Sequence, residues 1–302
     1  MVFGLGLSLR AQPATSDSIE TLLRNGEINK AKEILNKRYS ENDEEPNTNY
    51  YLALIALRDN DYDDAIDYLD VAIAGEENKA EYYFQLGRAY AMKAQNSGVI
   101  TAAFAAPKIK SNWIKTLELD PDHIRAKWGL FQFYINAPGV AGGDDDEAKK
   151  IADDLVIKNP PRGYNMLAYY YAVVEEDLQK TDESITKSMS VNSDEETKQI
   201  VVNTNTNLLN QLGYRLLNQK DYENSYRYFK WAIELRSDYE NPYDSMGDYF
   251  AAIAQFDSAL VYYEKALTIR PDFTVSIFNK AFMLEKLGKK DQAIAHYNII
   301  IE

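Results

Sequence analysis

The stretches Leu212-Gly213-Tyr214-Arg215-Leu216 and Met246-Gly247-Asp248-Tyr249-Phe250 stand 34 residues apart and carry one pattern. The match runs on downstream. Ser225, Phe229 and Ala232 fall in register with Ala259, Tyr263 and Ala266, and a third copy follows with Ala281, Leu284, Ala293 and Tyr297. Small and aromatic residues repeating at this period define a stacked array of short units, each burying its apolar face on the next, in place of one globular core. Such arrays present surfaces for holding another molecule. The pattern therefore speaks to a class of function and not to the identity of what is held.

Between the turns the period is helical: Tyr51, Leu52, Ile55 and Ala56 form one stripe, and Ala65, Ile66, Leu69 and Ala72 the next. The short polar turn Asp59-Asn60-Asp61-Tyr62 separates them, and it recurs as Gln219-Lys220-Asp221-Tyr222, Gln255-Phe256-Asp257 and Gly288-Lys289-Lys290-Asp291. The unit is thus a helical hairpin, with an acidic residue at the start of its second helix, where unpaired N–H groups and the positive dipole end favour it. Ala31, Ala65, Ala259 and Ala293 mark close helix approaches, each followed one turn later by Leu35, Leu69, Tyr263 or Tyr297.

These residues resemble the tetratricopeptide repeat family, whose pattern is W-x2-L-G-x2-Y, A-x3-F and P. The resemblance covers nearly all of residues 16–302 and is most specific from 206 to 273, where Pro271 supplies the pattern's proline. Eight hairpins are expected, at about 16–40, 47–76, 80–121, 122–160, 162–192, 196–238, 240–271 and 274–302. The central ones carry extra residues. By organisation, 1–15 reads as a signal-peptide remnant or frayed tail, 16–160 as N-terminal hairpins with central insertions, 161–205 as a divergent hairpin and junction, and 206–302 as regular repeats. The resemblance implies an all-α, right-handed solenoid whose concave groove grips a peptide or helix of another protein without catalysis.

The formal charge of −14, from 47 acidic against 33 basic residues, argues against nucleic acid, which demands Lys and Arg neutralisation. There is no cysteine, so disulfides, thiol catalysis and thiolate metal sites are excluded. No apolar run is long enough to span a membrane. Met1 to Leu9 is nevertheless apolar and uncharged, and Leu9-Arg10-Ala11-Gln12 gives way at once to polar sequence. That resembles the end of a secretory signal, so a periplasmic or secreted location is expected, with a cytoplasmic one as the alternative.

The string Phe133-Tyr134-Ile135-Asn136-Ala137-Pro138-Gly139-Val140-Ala141-Gly142-Gly143 departs from the period and looks like a segment found in a subgroup of bacterial tetratricopeptide-repeat proteins of unassigned activity. Its glycines permit unusual backbone angles, and Asp144 can cap the helix of Glu147 to Ile157. A structural loop and a binding loop are both compatible with it.

Asp59, Asp61, Asp63, Asp67 and Asp70 fall on calcium-loop spacing. However, Asp64 stands where that loop needs glycine, and Ala65 is in register as a packing residue. Asp144-Asp145-Asp146-Glu147 reads as a helix start, and His123 and His296 lie far apart, neither with an i, i+4 partner. No P-loop or dinucleotide glycine pattern occurs. No metal, cofactor or enzymatic activity is expected.

In a hairpin array the first helices line the groove, one position off the packing stripe. From the 206–273 register those positions are Asn207, Asn210, Tyr214, Asn241, Asp244 and Asp248, with Tyr50, Phe84 and Arg88 further back. Family members that grip a C-terminal carboxylate use Lys, Asn and Arg at such places, but here Tyr50, Asn210 and Asp244 replace the lysine. An acidic, amide-rich groove implies a basic or polar partner. A small-molecule or glycan ligand stacked on groove tyrosines is the alternative. Ile294, Ile299 and Ile301 in the last hairpin suggest weak self-association through it.

Overall fold

The computed structural model describes residues 16–301, and the tail or signal remnant read at 1–15 lies outside them. Among the described residues every element is a helix. The chain runs α1 (Ser16–Arg24), α2 (Ile28–Glu41), α3 (Pro46–Asp59), α4 (Tyr62–Gly75), α5 (Ala80–Gln95), α6 (Val99–Leu119), α7 (Ile124–Asn136) and α8 (Asp145–Lys158). It continues with α9 (Pro160–Tyr170), α10 (Leu178–Ser190), α11 (Glu195–Asn218), α12 (Tyr222–Leu235), α13 (Glu240–Ala252), α14 (Phe256–Ile269), α15 (Thr274–Lys286) and α16 (Lys290–Ile301). These are the eight expected hairpins in order, an α-solenoid. Two compact units divide the chain, Met1–Ala148 and Lys149–Glu302, with the division inside α8, ahead of the 160/161 boundary read from the sequence.

One bend serves six hairpins. Gly26, Asn60, Glu176, Lys220, Ala254 and Gly288, each just past a first helix, all have positive φ, between 52° and 76°. In each case the next N–H closes back onto the helix, as Asp61 to Ala56 O and Asp221 to Leu216 O at 2.9 Å. This is the left-handed C-terminal closure of a helix, which satisfies its last carbonyls. The geometry favours glycine; the alanine at 254 costs about 1–2 kcal/mol in this region. The next residue then opens the second helix, and Asp221 Oδ1 accepts the N–H of Asn224 at 3.2 Å.

Close approach within a hairpin comes from a missing Cβ facing a ring. A Cβ on Gly213 would lie 2.5 Å from the Phe229 ring, and one on Gly247 would strike Tyr263 likewise. Both rings are buried. In the first unit the indole of Trp113 on α6 is held between two such glycines, Gly87 on α5 and Gly129 on α7. A Cβ on either would come within about 3 Å of the indole. The Trp113 Nε1–H donates to the Phe84 carbonyl at 3.2 Å. The alanines read from the sequence as contact points, Ala31, Ala65, Ala259 and Ala293, are all buried.

The second unit also has buried polar links. Asn165 on α9 donates to Asn205 Oδ1 at 2.7 Å, and Asn205 on α11 donates in turn to Ser188 Oγ on α10 at 2.8 Å. Just before α10 the chain takes one π-helical turn, Tyr171–Glu175, and Arg215 of α11 donates to the Ala172 carbonyl there at 2.6 Å. A widened turn leaves carbonyls unpaired, and this guanidinium takes one of them.

Candidate functional site

The six positions read from the regular repeats lie in the second unit, and the structure ties five of them to their neighbours. Asn210 donates to Asn241 Oδ1 at 3.0 Å, and the Tyr214 hydroxyl donates to Asp248 Oδ2 at 2.7 Å. Asp248 also accepts from the Tyr263 hydroxyl at 2.7 Å and from Asn279 at 3.2 Å. Asp244 accepts from the Ser276 hydroxyl at 2.5 Å and from Asn279 at 3.4 Å. These groups form a polar seam joining α11 to α13 and α13 to α15. Asn207 alone is exposed.

Asp244 therefore departs from the sequence expectation. It is 4% exposed and holds two helices together, where the register placed it in an open groove. All its hydrogen-bond partners are neutral, so burial pushes its carboxyl up to about 6. Burial also raises the Tyr214 and Tyr263 hydroxyls, with the Asp248 charge adding to the effect. A lysine at 244 would bury an ammonium among neutral donors and break the seam, so the variant Asp244→Lys reports on folding rather than on ligand capture.

The first unit holds an open cleft of about 650 Å³, bounded by α1, α3, α5 and the start of α7. Tyr50 and Arg88 line it, whereas Phe84 is buried, its ring 4.8 Å from His123 and 4.7 Å from the Arg125 guanidinium. The organising group is Glu81, which the sequence reading did not single out. Its Oε1 accepts from Gln85 at 2.8 Å, and its Oε2 accepts from Arg125 at 2.8 Å and lies 3.1 Å from His123 Nε2. His123 Nδ1 accepts the Ala126 N–H at 3.1 Å as the cap of α7, so Nε2 carries the hydrogen and donates to Glu81. Burial alone would raise the Glu81 carboxyl, but the hydrogen bonds from His123 and Gln85, with the Arg125 charge, bring it below the usual range. Gln85 is thereby oriented so that its Oε1 accepts from Arg88 at 3.1 Å. A sequence cue existed: Glu81, Gln85 and Arg88 follow i, i+4, i+7 spacing along one helical face.

The remaining sequence motifs resolve locally. Asp59 pairs with Lys32 at 2.6 Å and Asp63 pairs with Lys93. The glycine-rich segment folds against the end of α7: Gly142 has φ 99°, and the Asp144 N–H donates to the Tyr134 carbonyl at 2.9 Å. A Cβ on Gly143 would collide with the Ala137 carbonyl. Asp144 Oδ1 accepts the Glu147 N–H at 3.1 Å, the cap expected there. Ile294, Ile299 and Ile301 are exposed on α16.

The tetratricopeptide repeat family model matches residues 242–273, which span α13, its bend and α14. Residues 242–273 thus form one tetratricopeptide repeat. A protein of Guillardia theta, "Uncharacterized protein ycf37", is 36% identical over 81 residues, 25% of this chain and 46% of that protein. The chain thus spans about half the length of the curated relative it matches. Among solved structures, the APC/C hetero-tetramer Cut9-Hcn1 superposes with a TM-score of 0.54 at 13% identity, over 92% of this chain and 50% of that one. At that identity the likeness concerns the fold alone. Pseudomonas aeruginosa pilF gives a TM-score of 0.46 at 14% identity, over 74% of this chain and 90% of that one.

Proposed function

We propose that this protein is a non-enzymatic scaffold that captures a peptide or helix of a partner protein, and that the cleft of the first unit is where capture occurs. The observation that carries this is the cleft's built polar wall: Gln85 and Arg88 on α5 and Arg125 on α7 are held in place through Glu81, on a surface open to solvent. Preformed side chains reduce the ordering cost of binding. The seam residues Tyr214, Asn241, Asp244 and Asp248 of the second unit hydrogen-bond between helices and are the weaker candidates. A glycan or small-molecule ligand would need open aromatic faces, but the Tyr50 ring packs against Tyr51 and Tyr82, with centroids 5.2 and 5.0 Å away.

A photo-crosslinking phenylalanine at Tyr50, introduced in the native cells, is expected to yield a discrete adduct that mass spectrometry maps to one partner segment. The same residue at Tyr222, on the exposed surface of α12, is the control. Equal yields from both positions, or none from Tyr50, would remove the cleft from the proposal.

The proposal extends to weak self-association through the last hairpin, supported by Ile299 at 58% and Ile301 at 81% exposed. Sedimentation is expected to show a concentration-dependent increase in mass that Ile299→Lys relieves. A monomer at every concentration, unchanged by the substitution, would refute it.

A further inference from the structure

The cleft of the first unit has more positive charge than its own acids neutralise. Its charged lining consists of Glu20, Arg24, Arg58, Glu81, Arg88 and Arg125. Arg24 pairs with Glu20 at 2.9 Å and Arg125 with Glu81 at 2.8 Å, which uses both carboxylates. Arg88 donates only to the neutral amide oxygen of Gln85, and Arg58 makes no hydrogen bond or ion pair among the described residues. Two guanidiniums on successive first helices, α3 and α5, therefore face one open space without a counter-ion. This occurs in a chain whose net charge is −14, so the excess is local to the cleft and opposite in sign to the molecule.

A guanidinium presents a planar fork of donors that fits a carboxylate through two parallel hydrogen bonds, and such charge-assisted bonds are stronger than neutral ones. Glu81 matters here as a positioning residue. By accepting from Gln85 it turns the Gln85 oxygen toward Arg88, which limits the orientations Arg88 must give up on binding. Because Arg125 already occupies Glu81, that carboxylate is not free to neutralise an approaching cation or to pair with Arg88.

Resting on the scaffold reading, we propose that the cleft selects an acidic peptide segment, with two Asp or Glu side chains of the partner received by Arg58 and Arg88. This reverses the basic partner expected from Asp244 and Asp248, whose carboxylates are committed within the other unit.

The test uses the full chain and labelled peptides of one scaffold carrying Glu, Gln or Lys at the same positions, all amidated, followed by fluorescence anisotropy. A further Gln peptide with a free C-terminus separates side-chain from terminal carboxylates. The Glu peptide is expected to bind at least about tenfold more tightly than the others, and Arg58→Gln and Arg88→Gln each to weaken it about tenfold. Arg227→Gln, in the second unit, serves as the charge-matched control and is expected to leave binding unchanged; circular dichroism checks that every variant is folded. Equal affinity for the Gln or Lys peptide, binding only of the free C-terminus, no binding of the Glu peptide, or indifference to both arginine substitutions would each overturn the proposal. If any of these results comes with a mapped adduct from Tyr50, acidic selectivity fails and the scaffold reading stands. If no peptide binds and Tyr50 gives no adduct, both fail.

Discussion

Replacing Trp113 with alanine is expected to lower the stability of the first unit by about 3–5 kcal/mol, the range for deleting a large buried aromatic. The indole is 8% exposed and lies between Gly87 and Gly129, positions whose lack of side chains is what admits it. Neither glycine can grow into the space, so the cavity left by the ring collapses poorly, and the Phe84 carbonyl loses the second donor it has beyond its own helix. Urea unfolding followed by circular dichroism measures the loss. The same geometry predicts non-additivity. Gly87→Ala alone forces a Cβ to 2.6 Å from the indole and destabilises, whereas in the Trp113→Ala background it finds room and is expected to be neutral or stabilising. A loss of less than about 1 kcal/mol for Trp113→Ala, or additive effects in the double variant, would show that the sandwich is not what joins α5, α6 and α7.

The second large effect concerns pH. The Asp244 carboxyl is raised to about 6 in the folded chain from 3.8, so between those values the folded state holds a proton that the unfolded state has released. Stability from this group is therefore greatest below about pH 4, declines as pH rises through 4 to 6, and stays low above that interval; the drop is on the order of 2–3 kcal/mol. The groups facing the carboxyl are Ser276, Asn279 and Asp248, with Tyr214 and Tyr263 on Asp248. None carries positive charge. Asp244→Asn keeps an acceptor for Ser276 and removes the charge, so it is expected to be more stable than wild type at pH 7.5 and to lose that advantage at pH 4. Other carboxylates titrate in both proteins and cancel in the difference, which melting temperatures across pH would report. A difference independent of pH would show that Asp244 is not buried as a carboxyl among neutral donors.

The fold was legible because a hairpin array writes its contacts locally. Gly213, Gly247 and the alanines at the second helices recur at a fixed period, since each meets the same kind of neighbour in each repeat. The site was less legible for a physical reason that Asp244 and Glu81 share. Polar residues at equivalent positions can face solvent or the next helix, and periodicity gives the same address to both. Asn210, Asp244 and Asp248 look like groove residues until Asn241, Ser276, Asn279 and the two tyrosines are placed against them. Glu81 depends on His123 and Arg125, more than 40 residues away in sequence, and no local pattern announces that meeting. Arg58 and Arg88 are ordinary surface arginines until the cleft brings them together.

The shared bend between helices has a consequence for what kinds of change the chain tolerates. Glycine, asparagine, glutamate, lysine and alanine all occupy its left-handed position, so its shape is held by closure of the backbone and by the number of residues in it. Substitution there alters cost by a kilocalorie or two and leaves the path intact. Removing or adding a single residue would instead rotate the following helix by about 100°, one residue's worth of a 3.6-residue turn, unless a widened turn absorbs it as Tyr171–Glu175 does ahead of Glu176. That would carry alanines such as Ala65 and Ala259 off their partners. In this respect the bend behaves like a reading frame: tolerant of misspelling, intolerant of a shift.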